Sequence, residues 1–276
     1  MPTTYTHYRM GQDVRNILQE KEREIVEKYP QLFCIGLHGP DIFFYYKPLS
    51  KNPIKEMGHA MHTRPGKAFF ASAAEVVNRQ PEKDAYLAYL YGFICHFALD
   101  VACHGYIDEK IMASGISHTE IEAEFDRMLM EKDGRDPVRY KPTVHIVPSM
   151  ENAEIIQAFF EETDSTQTLD TLKGMVSYLN FLVAPSKAKR FLIDTVLKLT
   201  GNYKELHGLM INYRANPACA DSTKELFTRY QETVERAASL IREYGRFLEG
   251  NEELDSIYRY NFVSRVVEEE ENTNGK

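Results

Sequence analysis

The sequence predicts an all-α fold arranged as a single multi-helix domain, and three observations carry that expectation. Segment after segment shows apolar residues at helical spacing. The connections between them are short and marked by Pro or Gly. No internal repeat or low-complexity linker divides the 276 residues before an acidic tail, so the reading is one helical domain over 1–267 and a flexible tail over 268–276. Hydrophobic residues make up 43% and charged residues 27%, which gives enough apolar mass for a core and excludes a disordered or collagen-like chain.

In chain order, residues 12–28 carry Val14, Leu18 and Ile25 among spaced charges and read as an amphipathic helix ending before Pro30. Residues 32–46, LFCIGLHGPDIFFYY, are interrupted at Gly36, Gly39 and Pro40, with Asp41 just after the break. A broken backbone beside an acid marks a candidate site, and the run from Ile42 to Tyr46 is expected in the core. Helices follow over 66–79 and 83–104, the second strongly apolar and therefore buried. HTEIEAEFDRMLMEK at 118–132 is another helix, and the Pro-punctuated stretch 134–149 reads as a connection with a short extended piece. Helices over 150–162, 168–184, 186–200, 203–213 and 221–250 complete the chain, with an NPACA turn between the last two.

Net charge is −8, the wrong sign for a surface that binds long nucleic acid. The apolar stretch GFICHFAL at 92–99, closed by Asp100, is far short of the roughly 20 residues of a transmembrane helix. No basic region followed by an apolar stretch opens the chain, so the expected location is the cytoplasm. Cys34, Cys95, Cys103 and Cys219 form no CxxC pair, which suits free thiols and excludes a cysteine-only zinc ribbon; Cys95 and Cys103 are read as buried packing residues.

The chemistry concentrates between residues 96 and 122, where HFALDVACH supplies His96, Asp100 and His104, and HTEIE supplies His118 and Glu122. Steps of four advance about 400° on a helix, so the first three lie near one stripe with a drift of about 40° per step. Imidazole and carboxylate groups one turn apart can converge on a cation, and a mixed nitrogen and oxygen set favours zinc or a similar first-row metal. A lone HxxxD pair is commonly a surface ion pair or a satisfied core histidine. Here His96 and Asp100 interrupt an apolar helix, where unpaired polar groups are costly.

These residues, with Thr6-His7, the Gly-x-x-Gly-Pro-Asp turn at 36–41 and a histidine after it, occur in an order that resembles the zinc-dependent phospholipase C family. That family shares its all-helical fold with zinc nucleases of the S1/P1 type. The resemblance runs from residue 1 to about 130, and residues 135–276 match only as generic helices. It implies one zinc among Asp41, His62, His96 and Asp100, a second among His104, His118 and Glu122, and a third at His7 and Asp100, with Asp100 bridging two ions. His59, three residues before His62, is an alternative ligand; His38 is assigned to hydrogen bonding or packing behind the site, and His145 and His207 carry no motif.

In secreted members the N-terminal residue completes the third site. The arm before His7 is shorter here, so that site is expected to be incomplete or differently filled. The implied function is a metal-dependent phosphoester hydrolase, phospholipase C-like, using two or three Zn2+ ions to activate water on a phosphodiester, with Asp41 also accepting the water's proton. The expected substrate is a small phosphoester or a phospholipid headgroup. The alternatives are a phosphatase or nuclease on soluble phosphoesters, and a catalytically inactive zinc-binding helical protein.

Overall fold

The computed structural model describes residues 4–267 apart from 202 and 204–206. Among them the elements are helices α1 (Thr4–Ile17), α2 (Glu20–Lys28), α3 (Pro30–Gly36), α4 (Pro53–Thr63), α5 (Gly66–Arg79), α6 (Lys83–Ser114), α7 (His118–Lys132), α8 (Met150–Gln157), α9 (Ser165–Leu182), α10 (Lys187–Leu199) and α11 (Ala220–Leu248), with short 3-10 segments including Gly39–Tyr45 and Ser256–Arg259. The fold is all-α; among the described residues the sole β feature is an isolated bridge between Tyr260 and Val266. The acidic tail 268–276 lies outside the described residues.

Helix α6 is the axis of the molecule. It packs against α1, α2, α3, α5, α7, α8 and α11, and Leu90, Phe93, Ile94 and Phe97 are fully buried along it. By length and composition α6 can cross a bilayer, yet 78% of its most apolar window is buried inside the protein. Helix α3 approaches α6 backbone to backbone. A Cβ on Gly36 would lie 2.1 Å from the Tyr89 carbonyl oxygen, and one on Gly92 would lie 2.2 Å from the Phe33 carbonyl oxygen, so glycine at both positions lets the helices touch. That contact sets the 3-10 segment after α3 directly over His96.

The structure corrects several boundaries. The helix expected over 12–28 is two helices: α1 starts at Thr4, and Gln19 takes an extended ψ of 165° that re-aims α2. No Gly or Pro marks this break. Tertiary packing makes it: both helices pack on α6, but α1 also faces α7 and α11 while α2 faces α3. Helices α3 and α4 are present where no helix was expected; each starts with Pro at its first turn, which pre-sets φ. Helix α6 continues past 104 to Ser114, where Gly115 with φ 71° caps it. The stretch 134–149 contains no strand, and α8 stops at Gln157 rather than 162. The helix expected over 203–213 falls partly outside the described residues, and His207–Leu209 within it is 3-10.

Candidate metal centre

Eight side chains that carry metal-ligating atoms come from α1, the 3-10 segment Gly39–Tyr45, α4, α6 and α7. Helix α6 supplies His96, Asp100 and His104, all buried. The Asp100 carboxylate sits at the centre: its Oδ2 is 3.2 Å from His96 Nε2, and its Oδ1 is 3.3 Å from His7 Nε2 and 3.8 Å from His104 Nε2. Helix α7 adds Glu122, whose Oε1 is 3.5 Å from His104 Nε2 and 3.0 Å from His118 Nε2. Ser117 caps α7 by accepting from the Glu120 amide, which places His118 in the first turn. The His118 side chain is 34% exposed and forms the open edge of the centre.

On the other side, Asp41 Oδ1 lies 2.9 Å from His62 Nε2. The structure places His62 here, whereas His59 is exposed with its ring 4.4 Å from that of Phe44. The two are three residues apart on α4, and burial of Ile54 and Gly58 turns His62 inward. Three groups have ligand atoms within 4.8 Å of one another: Asp41, His62 and His96; His7, His96 and Asp100; and His104, His118 and Glu122. His96 belongs to two of them.

Ring tautomers show what this arrangement lacks. His62 Nδ1 is 2.7 Å from the Gly58 carbonyl oxygen, and His104 Nδ1 is 2.5 Å from the Phe262 carbonyl oxygen. A carbonyl only accepts, so both Nδ1 atoms carry hydrogen. A neutral ring held this way turns its Nε2 lone pair toward a carboxylate, which is repulsive unless a proton or metal cation mediates. In addition, among the described residues neither ring nitrogen of the fully buried His96 makes a hydrogen bond, nor does His7 Nδ1. The donor set therefore fits a cation, and its nitrogen and oxygen chemistry suits zinc.

Without metal, protons answer the same demand. Burial alone would lower His104, but Asp100 and Glu122 raise it to about 9. Burial alone would raise Asp100 and Glu122; His104 and His96 beside the former, and His118 and His104 beside the latter, hold both well below the usual carboxylate range.

Several supporting groups gave no sequence signal. Asp126 of α7 accepts from the amides of Tyr5 (3.1 Å) and Thr6 (2.8 Å) and from the Thr6 hydroxyl (2.6 Å), anchoring the first turn of α1 just before His7. His145, read as ordinary in sequence, is buried with Nε2 2.7 Å from His38 Nε2, and its ring stacks on Tyr8 at 4.0 Å. Burial and His145 push His38 well below the usual histidine range, and burial pushes His145 down to about 3. His207 belongs to none of these groups and lies 3.7 Å from Asp194.

The C-terminal segment contributes as well. The Ser264 hydroxyl accepts from the Gly105 amide at 2.9 Å and donates to the Val101 carbonyl at 2.8 Å, the pair that an uninterrupted α-helix joins directly. It thus docks on the backbone of α6 beside Asp100 and His104. Residues 42–45 are buried as expected, and so are Cys95 and Cys103.

A family model described as zinc dependent phospholipase C matches residues 6–170, more than half of the chain and all eight of these positions. No curated protein and no solved structure matches the chain.

Proposed function

The chain belongs to the zinc-dependent phospholipase C family, and from that membership we propose that it is a phospholipase C-like phosphoester hydrolase whose eight clustered His, Asp and Glu residues hold two or three zinc ions. One observation carries the reading: His62 and His104 have their Nδ1 atoms committed to backbone carbonyls and their Nε2 atoms turned to buried carboxylates, so the centre calls for cations.

Asp41, His62, His96 and Asp100 would hold one ion, His104, His118 and Glu122 a second, and His7 with Asp100 a third. Zinc in such a centre offsets charge on phosphoryl oxygens and lowers the pKa of water toward neutrality. The chain supplies fixed geometry. Asp100 joins the groups through both carboxylate oxygens, the Phe262 and Gly58 carbonyls fix two imidazole tautomers, and His118 leaves the centre open on one edge. Asp41 engages His62 through Oδ1, and its carboxylate would accept a proton from the attacking water. The substrate class that suits the centre is a small phosphoester or a phospholipid headgroup.

The test is metal content per chain by elemental analysis of untagged protein, followed by hydrolysis assays on a short-chain phospholipid, a lysophospholipid, a mononucleotide and a short single strand. Bound zinc with turnover of the phospholipid is expected, and both should fall in Asp100→Asn and His118→Ala. Turnover of only the nucleotide substrates would favour a nuclease or phosphatase. Full metal content and full activity in both variants would overturn the assignment of the centre.

A further inference from the structure

We propose that α10 is a membrane-docking helix whose occupant is the surface of an anionic phospholipid bilayer. The helix, KAKRFLIDTVLKL, uses only Ile193 and Leu197 as buried anchors; they pack with Leu182, Ala184 and Met210 in a small core of their own. The opposite face is also apolar. Phe191 is 74% exposed, Leu192 57% and Leu199 83%, and Val196 beside them is exposed too. At about 100° per residue these four positions, with Ala188, span one arc of roughly 140°, within which the one polar residue, Thr195, donates its hydroxyl to the Phe191 carbonyl at 2.7 Å. A helix apolar on both sides, one inside the protein and one outside it, has an unpartnered surface.

Charge identifies the partner. The chain as a whole carries −8, yet α10 carries Lys187, Lys189, Arg190 and Lys198 against the single acid Asp194. Asp194 lies 3.7 Å from His207, and Arg190 is occupied by the Ile211 carbonyl, so both serve the inner side of the helix. Lys187 and Lys198 border one margin of the apolar arc and Lys189 borders the other. The Lys189 ammonium donates to the Val183 carbonyl at 2.6 Å and sits 5.7 Å from the ring centre of Phe181 on α9, itself exposed, which extends the patch beyond α10; on the other margin the Lys198 ammonium lies 4.9 Å from the ring centre of Tyr203. Phenylalanine and leucine on one face with lysines along its margins is the pattern of a helix lying in a lipid headgroup layer with its apolar side down. A basic helix on an acidic protein selects a negatively charged surface.

The inner side of α10 connects to the start of α7. Met210 and Leu209 pack with Ile193 and Leu197 of α10, and the 3-10 segment His207–Leu209 contacts α7, the helix that starts at His118. The docking itself does not rest on the metal chemistry, and it is measurable without turnover.

The experiment is co-sedimentation of the full chain with vesicles of phosphatidylcholine containing phosphatidylglycerol, and with phosphatidylcholine alone, using both wild type and Asp100→Asn. Binding to the anionic vesicles that weakens at high salt is expected from both proteins. Phe191→Ser with Leu199→Ser should lower the partition coefficient at least about tenfold, and Lys187→Glu with Lys198→Glu should abolish the preference for anionic lipid. All four positions are exposed, so the melting temperature and hydrolysis of a monomeric short-chain substrate should not change.

Absence of wild-type binding to either vesicle, or variants that bind as wild type does, would overturn the inference. So would a wild-type dimer in solution that the Phe191→Ser, Leu199→Ser pair dissociates, since the face would then belong to a second copy. If Asp100→Asn keeps full activity but the vesicle results hold, the assignment of the metal centre fails and the docking surface stands.

Discussion

Replacing Gly39 by alanine tests how the backbone around Asp41 shapes the centre. Gly39 has φ 47°, a left-handed conformation, and a Cβ there would lie 2.2 Å from His96 Cδ2 and 2.7 Å from its Nε2. His96 is fully buried, with the His7 ring stacked at 4.3 Å, so the imidazole cannot yield freely. If the turn yields instead, it carries Asp41, two residues on, away from its 2.9 Å contact with His62. The left-handed φ costs about 1 kcal/mol for alanine, and forcing a methyl group into a packed core costs about 1–3 kcal/mol more.

Gly115→Ala is the control. Its φ is 71° and nothing lies within 4 Å of its Cβ, so only the conformational cost of about 1 kcal/mol applies. At about 2–4 °C per kcal/mol, Gly115→Ala should melt some 2–4 °C below wild type and Gly39→Ala roughly 4–16 °C below. Zinc affinity, read by competition with a chromophoric chelator, should fall about 10–100-fold in Gly39→Ala alone, the range seen when groups supporting metal ligands are disturbed. Zinc at 100 times its Kd adds about 2.7 kcal/mol, and a 100-fold weaker site keeps only about 0.4 kcal/mol of it. The gap between the two variants should therefore widen when zinc is added. Equal melting temperatures and equal zinc affinities in the two variants would refute the reasoning.

Three further outcomes follow from the surroundings of the centre. Asp126→Ala removes the acceptor for three donors in the first turn of α1 and should cost about 2–4 kcal/mol, with faster amide exchange in α1 as the local readout; unchanged exchange there would contradict it. His145 titrates at about 3 in the folded chain because it is buried, below its ordinary unfolded value near 6.5. The unfolded chain thus takes up the proton first: its contribution is fully present above about pH 6.5 and is lost as pH falls toward 3, at up to about 1.4 kcal/mol per pH unit. Urea midpoints of metal-free protein should fall less steeply with acid in His145→Phe, and an unchanged slope would count against a buried neutral imidazole. Ser264→Ala withdraws the hydroxyl that bonds the Gly105 amide and the Val101 carbonyl. It should alter stability by only about 1 kcal/mol while weakening zinc binding through His104, and a wild-type zinc titration would remove Ser264 from the supporting structure.

What the sequence determined by itself was whatever lies within a few residues of chain. His96, Asp100 and His104 share a stripe because the helical period is local, and His118 and Glu122 repeat it. Helices α5 and α7 start and stop where sequence patterning and end signals place them. The fold class follows from the same periodicity summed along the chain. Tertiary structure alone decided how these stripes meet. Which of His59 and His62 lies beside Asp41 depends on which side of α4 is buried, the break after Ile17 depends on packing partners that α1 and α2 do not share, and His145 reaches His38 across 107 residues of sequence. The carbonyl of Phe262, 158 residues from His104, fixes that ring although no side-chain chemistry marks the position. A backbone turn is encoded by its neighbours' rotational preferences, whereas the distance between two elements is set by how remote apolar surfaces fit together, and a single sequence does not display that fit.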